Sequence, residues 1–182
     1  MHGYLYILFG ATILMLISIY TEKDTLLAKN MDRLLLYRYA HFYIFIYIAF
    51  FCLFFNVNDK VNVWIYLIFT LATMIHWRVF GCCLTSLFEL NQYSLTYTID
   101  TISTSDHPTI KSIFGENIPY AMLAFSIALL LNVYYLFRNT KVISSFNKKI
   151  FSIIFVVLFI LGMTNKDTEF YDKKVIQQFK NF

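Results

Sequence analysis

The sequence predicts an all-α protein, an integral membrane helical bundle of about five transmembrane helices in a single domain. Hydrophobic residues make up 59% and charged residues 14% of its 182 residues, against about 45–50% and about 25% in soluble domains. The apolar residues gather into five runs, and none shows the sustained alternation of a membrane β-strand. Because backbone in hydrocarbon must satisfy its own hydrogen bonds, these runs should be helices.

The five predicted spans are residues 4–20, 39–55, 61–81, 120–137 and 147–165. The first run is uncharged, and it lacks the basic start and the cleavage site of a signal peptide. The second and third are joined by the polar turn 56–60, which makes them antiparallel neighbours. Pro119 stands in a favourable first-turn position for the fourth helix. The fifth run reaches a spanning length of about 20 residues only with its flanks.

Three segments lie outside the predicted spans. Residues 21–37 have apolar positions at helical spacing, which predicts an amphipathic connector in the membrane interface. Residues 93–117 are rich in Thr, Ser and Asp and predict an extramembrane loop. Residues 166–182 form a charged tail.

The basic residues predict the orientation. With five spans the termini lie on opposite faces, and five of the 15 Lys and Arg fall on the N-terminal face: Lys60, Arg138, Lys141, Lys148 and Lys149. The other ten fall on the C-terminal face, which places the C-terminus in the cytoplasm. A net-charge count gives the reverse, because ten of the 11 acids also lie on that face. Since the rule concerns basic residues, we predict a cytoplasmic C-terminus.

Residues 75–90 carry polar side chains where the sequence otherwise indicates contact with lipid. On a continuous helix four of them share one stripe about 60° wide: Arg78, Cys82, Thr85 and Glu89. In one interpretation the helix leaves the membrane near Arg78, which reaches to lipid headgroups. In the other the stripe lines a site between helices, where an ionisable residue costs about 2.5–3.5 kcal/mol and marks a function.

His41 and His76 form a second candidate pair. Each stands 15 residues from an end of the same turn, so the two should lie at similar depth on neighbouring helices. Such a pair could bind a haem or a metal or pass protons, or it could be packed and hydrogen-bonded. No metal-ligand spacing and no catalytic motif accompanies it. The sequence therefore predicts no cofactor, no metal and no catalytic residue.

Residues 76–89 read H-W-x(4)-C-C-L-T-x(3)-E. This resembles small uncharacterised multi-pass membrane proteins of bacteria and large DNA viruses, in which a helix ends in Cys-Pro-Leu-Thr followed closely by Glu. The matching positions are Cys82, Leu84, Thr85 and Glu89, while Cys83 replaces the proline and Glu89 comes one residue late. The resemblance implies no activity, only that the stripe is a shared feature.

The expected function is a structural or accessory role in a membrane assembly, such as a viral envelope or an organellar complex. The net charge of +4 lies mostly between apolar runs, so it predicts contact with the lipid bilayer and not with nucleic acid. The expected partners are membrane proteins, further copies of the chain included. One alternative is a channel or transporter that uses the stripe. The other alternative is a membrane-bound thiol or haem enzyme that uses Cys82 or Cys83 with His76. Of the alternatives, an enzyme is the one that the sequence disfavours.

Overall fold

A computed structural model describes residues 2–21, 31–80, 84–91 and 113–163, and every regular element in these ranges is helical. The helices are α1 (His2–Thr21), α2 (Met31–Phe54), α3 (Lys60–Phe80), α4 (Leu84–Asn91), α5 (Ile118–Asn139) and α6 (Ser145–Met163). A 3-10 turn, Gly115–Asn117, precedes α5. The predicted all-α helical bundle is therefore confirmed.

Within the described ranges, three helical segments are long and apolar enough to cross a membrane: His2–Thr21, Leu35–Phe54 and Tyr120–Asn139. They coincide with the first, second and fourth predicted spans. The third and fifth predicted spans coincide with α3 and α6, which are not among these three segments. The count of five spans therefore stays a prediction. The tail and all but the end of the loop 93–117 lie outside the described residues.

The helix α2 starts earlier than predicted. It begins at Met31, whereas the sequence suggested a span from residue 39 preceded by an interfacial connector. Residues 31–37 therefore belong to the same helix as the span, and residues 22–30 lie outside the described ranges. The consequence is that Arg38 lies inside α2 and not in a connector.

Local signals fix the ends of the helices. Asp59 caps α3, because its Oδ1 accepts hydrogen bonds from the backbone N–H groups of Val61 and Asn62 at 3.0 and 3.2 Å. Ser144 caps α6 in the same way, with its Oγ 3.2 Å from the Asn147 nitrogen. At the end of α5 the Thr140 N–H donates to the Leu136 carbonyl.

The first two helices run antiparallel. Gly3 lies against the Phe54 carbonyl, while Ser18, near the other end of α1, hydrogen-bonds to Arg38 of α2. The start of α1 meets the start of α3 through Tyr4, which donates to Asn62 at 2.8 Å. One end of the bundle, which we call the turn end, therefore holds the N-terminus and the turn 55–59.

The turn 140–144 lies at the same end. The Lys141 N–H donates to the side-chain carbonyl of Asn58 at 2.8 Å, which joins the two turns directly. The helix α4 packs on the opposite part of α2, near Arg38 and His41. We call this second end the α4 end.

Aromatic rings pack between α2 and α3 in the half of the bundle near the turn end. Phe51 of α2 and Tyr66 of α3 are stacked with their centroids 4.3 Å apart, and Tyr47 meets both rings edge-on. Phe51 and Tyr66 are completely buried. Aromatic pairs of this geometry add about 0.5–1.5 kcal/mol beyond the burial of their area, so these rings fix how α2 and α3 pack.

A side chain of α5 stabilises a kink in α2. Phe50 has non-helical backbone angles (φ −128°, ψ 17°). Beside it the Asn132 side chain accepts a hydrogen bond from the Cys52 N–H at 2.8 Å and donates to the Ile48 carbonyl at 3.3 Å. These are the two groups that an unbroken helix would join, so the inserted amide accounts for the kink.

Candidate functional site

The candidate site is a buried group of polar side chains at the α4 end, which we call the polar cluster. It unites residues of three helices: Ser18 of α1, Arg38 and His41 of α2, and Thr85, Ser86 and Glu89 of α4. Helical spacing puts the polar residues of α2 on one face and those of α4 on one face, because side chains three or four residues apart lie on the same side of a helix. Arg38 and His41 are such a pair on α2, and Thr85 and Glu89 are another on α4.

An ion pair forms the centre of the polar cluster. The Arg38 Nε lies 2.8 Å from Glu89 Oε1, and both side chains are completely buried. The Arg38 Nη1 also donates to the Ser18 hydroxyl at 2.6 Å. Removing two charges from water is unfavourable unless they pair closely and make further hydrogen bonds. The guanidinium therefore ties α1 and α4 to α2.

His41 connects the ion pair to two hydroxyl groups. Its Nδ1 lies 3.8 Å from the second oxygen of Glu89, and its Nε2 lies 2.7 Å from Thr85 Oγ1 and 3.3 Å from Ser86 Oγ. A carboxylate facing Nδ1 favours the tautomer with its proton on that nitrogen. The Nε2 would then accept a hydrogen bond from Thr85, so the ring links carboxylate and hydroxyl.

The structure describes three of the four residues of the predicted stripe, which itself stays a prediction. Thr85 is half-buried and Glu89 completely buried, and both belong to the polar cluster. Arg78, near the end of α3, is exposed, and Cys82 lies outside the described residues. The stripe assumes one continuous helix; the structure describes helix up to Phe80 and again from Leu84, and residues 81–83 lie outside the described ranges. Glu89 forms its ion pair with Arg38 of α2.

The two predicted histidines have different surroundings. His41 is 1% exposed and contacts α4, whereas His76 is half-buried on α3. Within the described ranges, no group of three or more His, Cys, Asp or Glu could hold a metal ion. The haem or metal pairing of His41 with His76 stays a prediction without a described ligand set.

Sequence reasoning missed Arg38 and Ser18. Arg38 stands between the predicted connector, residues 21–37, and the predicted span, residues 39–55, and was given no role. A signal was present, because Arg38 and His41 are three residues apart and so share one face of a helix. The partner could not be found in this way, since Glu89 is separated from Arg38 by 51 positions.

The polar cluster can do two things chemically. It can clamp three helices, because every contact described above crosses between helices. It could also pass a proton from Glu89 through His41 to Thr85, since imidazole both accepts and donates, once the Nδ1–Oε2 distance of 3.8 Å shortens to that of a hydrogen bond. The cysteine that the structure describes, Cys52, lies away from the cluster against the Asn132 carbonyl at 3.4 Å. The chain matches no protein-family model, no curated protein and no solved structure, so its function must be argued from this geometry.

Proposed function

We propose that the chain is a small multi-pass membrane protein with a structural or accessory role in a membrane assembly. One observation carries the proposal: the ionisable groups of the polar cluster face inward and pair between helices. Arg38 and Glu89 are completely buried and His41 is 1% exposed. Polar groups that line a path for a solute would face water, whereas these hold helices together.

The outer surface supports the same proposal. Large apolar side chains on α1, α5 and α6 are turned outward, among them Phe9, Leu123 and Ile153, which are 67, 51 and 64% exposed. Exposed apolar area of this kind faces lipid or the helices of a partner. The resemblance of residues 82–89 to small multi-pass membrane proteins is in keeping with this class. A viral envelope and an organellar complex are the two proposed settings.

The test is photo-crosslinking in native membranes. A photo-reactive phenylalanine analogue replaces Phe9, Leu123 or Ile153, one on each outer helix. We expect at least one position to give a discrete band of higher mass, because a partner helix lies at a fixed place. Interior positions such as Phe51 are left unchanged, since the larger analogue would disturb the core. The matched control is Leu53, which is 75% exposed at the end of α2 and does not belong to the three outer helices.

The contrary result has two parts: only lipid adducts form at all these positions, and the chain is monomeric in mild detergent and in membranes. In that case the chain has no partner in the membrane. That result would contradict the accessory role. A self-crosslink would instead identify the assembly as an oligomer of this chain.

A second candidate is a channel or transporter that moves protons, favoured by the position of His41 between a carboxylate and a hydroxyl. Ionisable residues in membrane helices are functional candidates by default. The test is proton flux into liposomes containing the purified chain and a pH-sensitive dye. His41→Phe should abolish flux and His76→Phe should preserve it, while liposomes that are no more permeable than empty ones would exclude this candidate.

A further inference from the structure

A groove runs between α5 and α6 near the turn end. Its volume is about 680 Å³, and apolar side chains such as Val133, Ile153 and Val156 line most of it. The groove extends along α5 from Leu130 to Arg138, which is about 12 Å of helix. The groove opens to the side of the bundle, where lipid would lie.

Three basic residues stand at one end of this groove. Arg138 belongs to the last turn of α5, and Lys148 and Lys149 belong to the first turns of α6. Because the two helices are antiparallel and joined by the short turn 140–144, all three cations come together beside that turn. The apolar part of the groove points the other way, toward the middle of the span.

No acid balances these cations along the chain. There is no Asp or Glu between Glu116 and Asp167. Among the described residues of the turn end, Asp59 carries a carboxylate, but that group caps α3 and also accepts from the Asn62 side chain at 2.9 Å. The Lys148 ammonium donates to the Thr140 carbonyl, which fixes its position and leaves two of its three N–H groups for another acceptor.

We propose that this groove binds an anionic phospholipid, with the phosphate at Arg138, Lys148 and Lys149 and an acyl chain along the apolar wall. The separation of charge matches such a lipid, because the cations stand beside the turn 140–144 and the apolar wall extends away from them along α5 and α6. Basic pockets between membrane helices bind acidic headgroups for this reason. The assignment is independent of the accessory role proposed above.

The experiment compares two lipids on the full-length chain. The protein is purified in mixed micelles with equal amounts of phosphatidylglycerol and phosphatidylcholine, and the lipids that stay bound are counted by native mass spectrometry. We expect the wild type to retain one phosphatidylglycerol in preference to phosphatidylcholine. The variant Arg138→Gln/Lys149→Gln should lower this preference at least about tenfold, since each cation near the headgroup adds to the attraction.

Two further variants separate charge from shape. Lys141→Gln removes an exposed cation of the same turn that does not line the groove, and it should leave the preference unchanged. Ile153→Trp fills the apolar wall and should lower retention although all three cations remain. Glycerol phosphate, which has the headgroup without acyl chains, should not displace the lipid.

The proposal is wrong if the wild type holds both lipids equally, or if Arg138→Gln/Lys149→Gln and Lys141→Gln behave alike. Displacement by glycerol phosphate would assign the cations to a soluble phosphate compound and would also overturn it. Lys148 is kept in the test variant because its bond to Thr140 supports the turn. Loss of binding then cannot come from loss of that bond.

Discussion

At the scale of the residue, the Arg38–Glu89 pair shows how two charged side chains can be buried inside this bundle. Either charge alone would be strongly destabilising in a buried site, whereas the pair with its extra hydrogen bonds is tolerated. Replacing both members of such a pair by apolar residues is often neutral or stabilising. The contribution of each partner to stability is therefore measured by replacing one residue while the other stays charged.

Arg38→Met should lower the free energy of unfolding by about 3–5 kcal/mol, because it leaves the buried Glu89 carboxylate without its partner. The double variant Arg38→Met/Glu89→Met should recover most of that loss. The measurement is equilibrium unfolding in mixed micelles, followed by circular dichroism as the denaturing detergent is increased.

The control for this pair is Arg78→Met, which removes an exposed arginine of α3 and should leave the unfolding curve nearly unchanged. If Arg38→Met and Arg78→Met give the same curve, the buried ion pair contributes nothing to stability. If the double variant is as unstable as Arg38→Met alone, the two residues are not coupled.

At the scale of the element, α2 depends on a side chain of α5 for its shape. Asn132→Leu should lower the free energy of unfolding by about 1–3 kcal/mol, because the Cys52 N–H loses its side-chain acceptor and the Tyr66 hydroxyl loses its bond to the amide, while the Ile48 carbonyl keeps only its bond from Tyr66. Asn139→Leu is the matched control on the same helix, since Asn139 is exposed and its amide bonds only to its own turn at Tyr135. Unfolding and amide exchange at Cys52 measure the effect, and equal stability of the two variants would refute the role assigned to Asn132.

The contact between α1 and α2 depends on the close approach of a glycine. A Cβ added at Gly3 would lie 2.5 Å from the Phe54 carbonyl oxygen, whereas one added at Gly10 would meet only the end of the Ile46 side chain at 3.1 Å. Backbone cannot give way as a flexible side chain can, and Gly→Ala inside a helix otherwise gains about 0.5–1 kcal/mol. Gly3→Ala should therefore destabilise the bundle and Gly10→Ala should be near neutral, in the same unfolding assay. The opposite order would show that α1 does not pack on α2 through Gly3.

At the scale of the whole molecule, the predicted five-span topology puts five of the 15 Lys and Arg on the face of the turn end and ten on the other face. We predict that the C-terminus is cytoplasmic and the N-terminus is on the other side. Reporter tags at the two termini, tested for access by a membrane-impermeant reagent before and after permeabilisation, measure this. Tags that are protected together from one side would indicate an even number of spans.

The sequence predicted the helices well and their pairing poorly, for a physical reason. Apolar runs and Pro119 act locally, so α1 and α5 could be placed from composition and spacing alone. Glu89 could be recognised as an unusual residue, but its partner Arg38 depends on how two distant helices pack. Asn132 gave no local signal at all, since its side chain bonds to groups of other helices: the Cys52 N–H, the Ile48 carbonyl and the Tyr66 hydroxyl.

The buried ion pair also has a consequence for biosynthesis. Arg38 leaves the ribosome 51 residues before Glu89, so the second helix reaches the bilayer before its counter-charge has left the ribosome. Throughout that interval the guanidinium must stay hydrated or be shielded by the insertion machinery. We expect lateral release of the first two helices to be delayed until α4 arrives, which makes entry into the membrane a concerted event for this part of the chain.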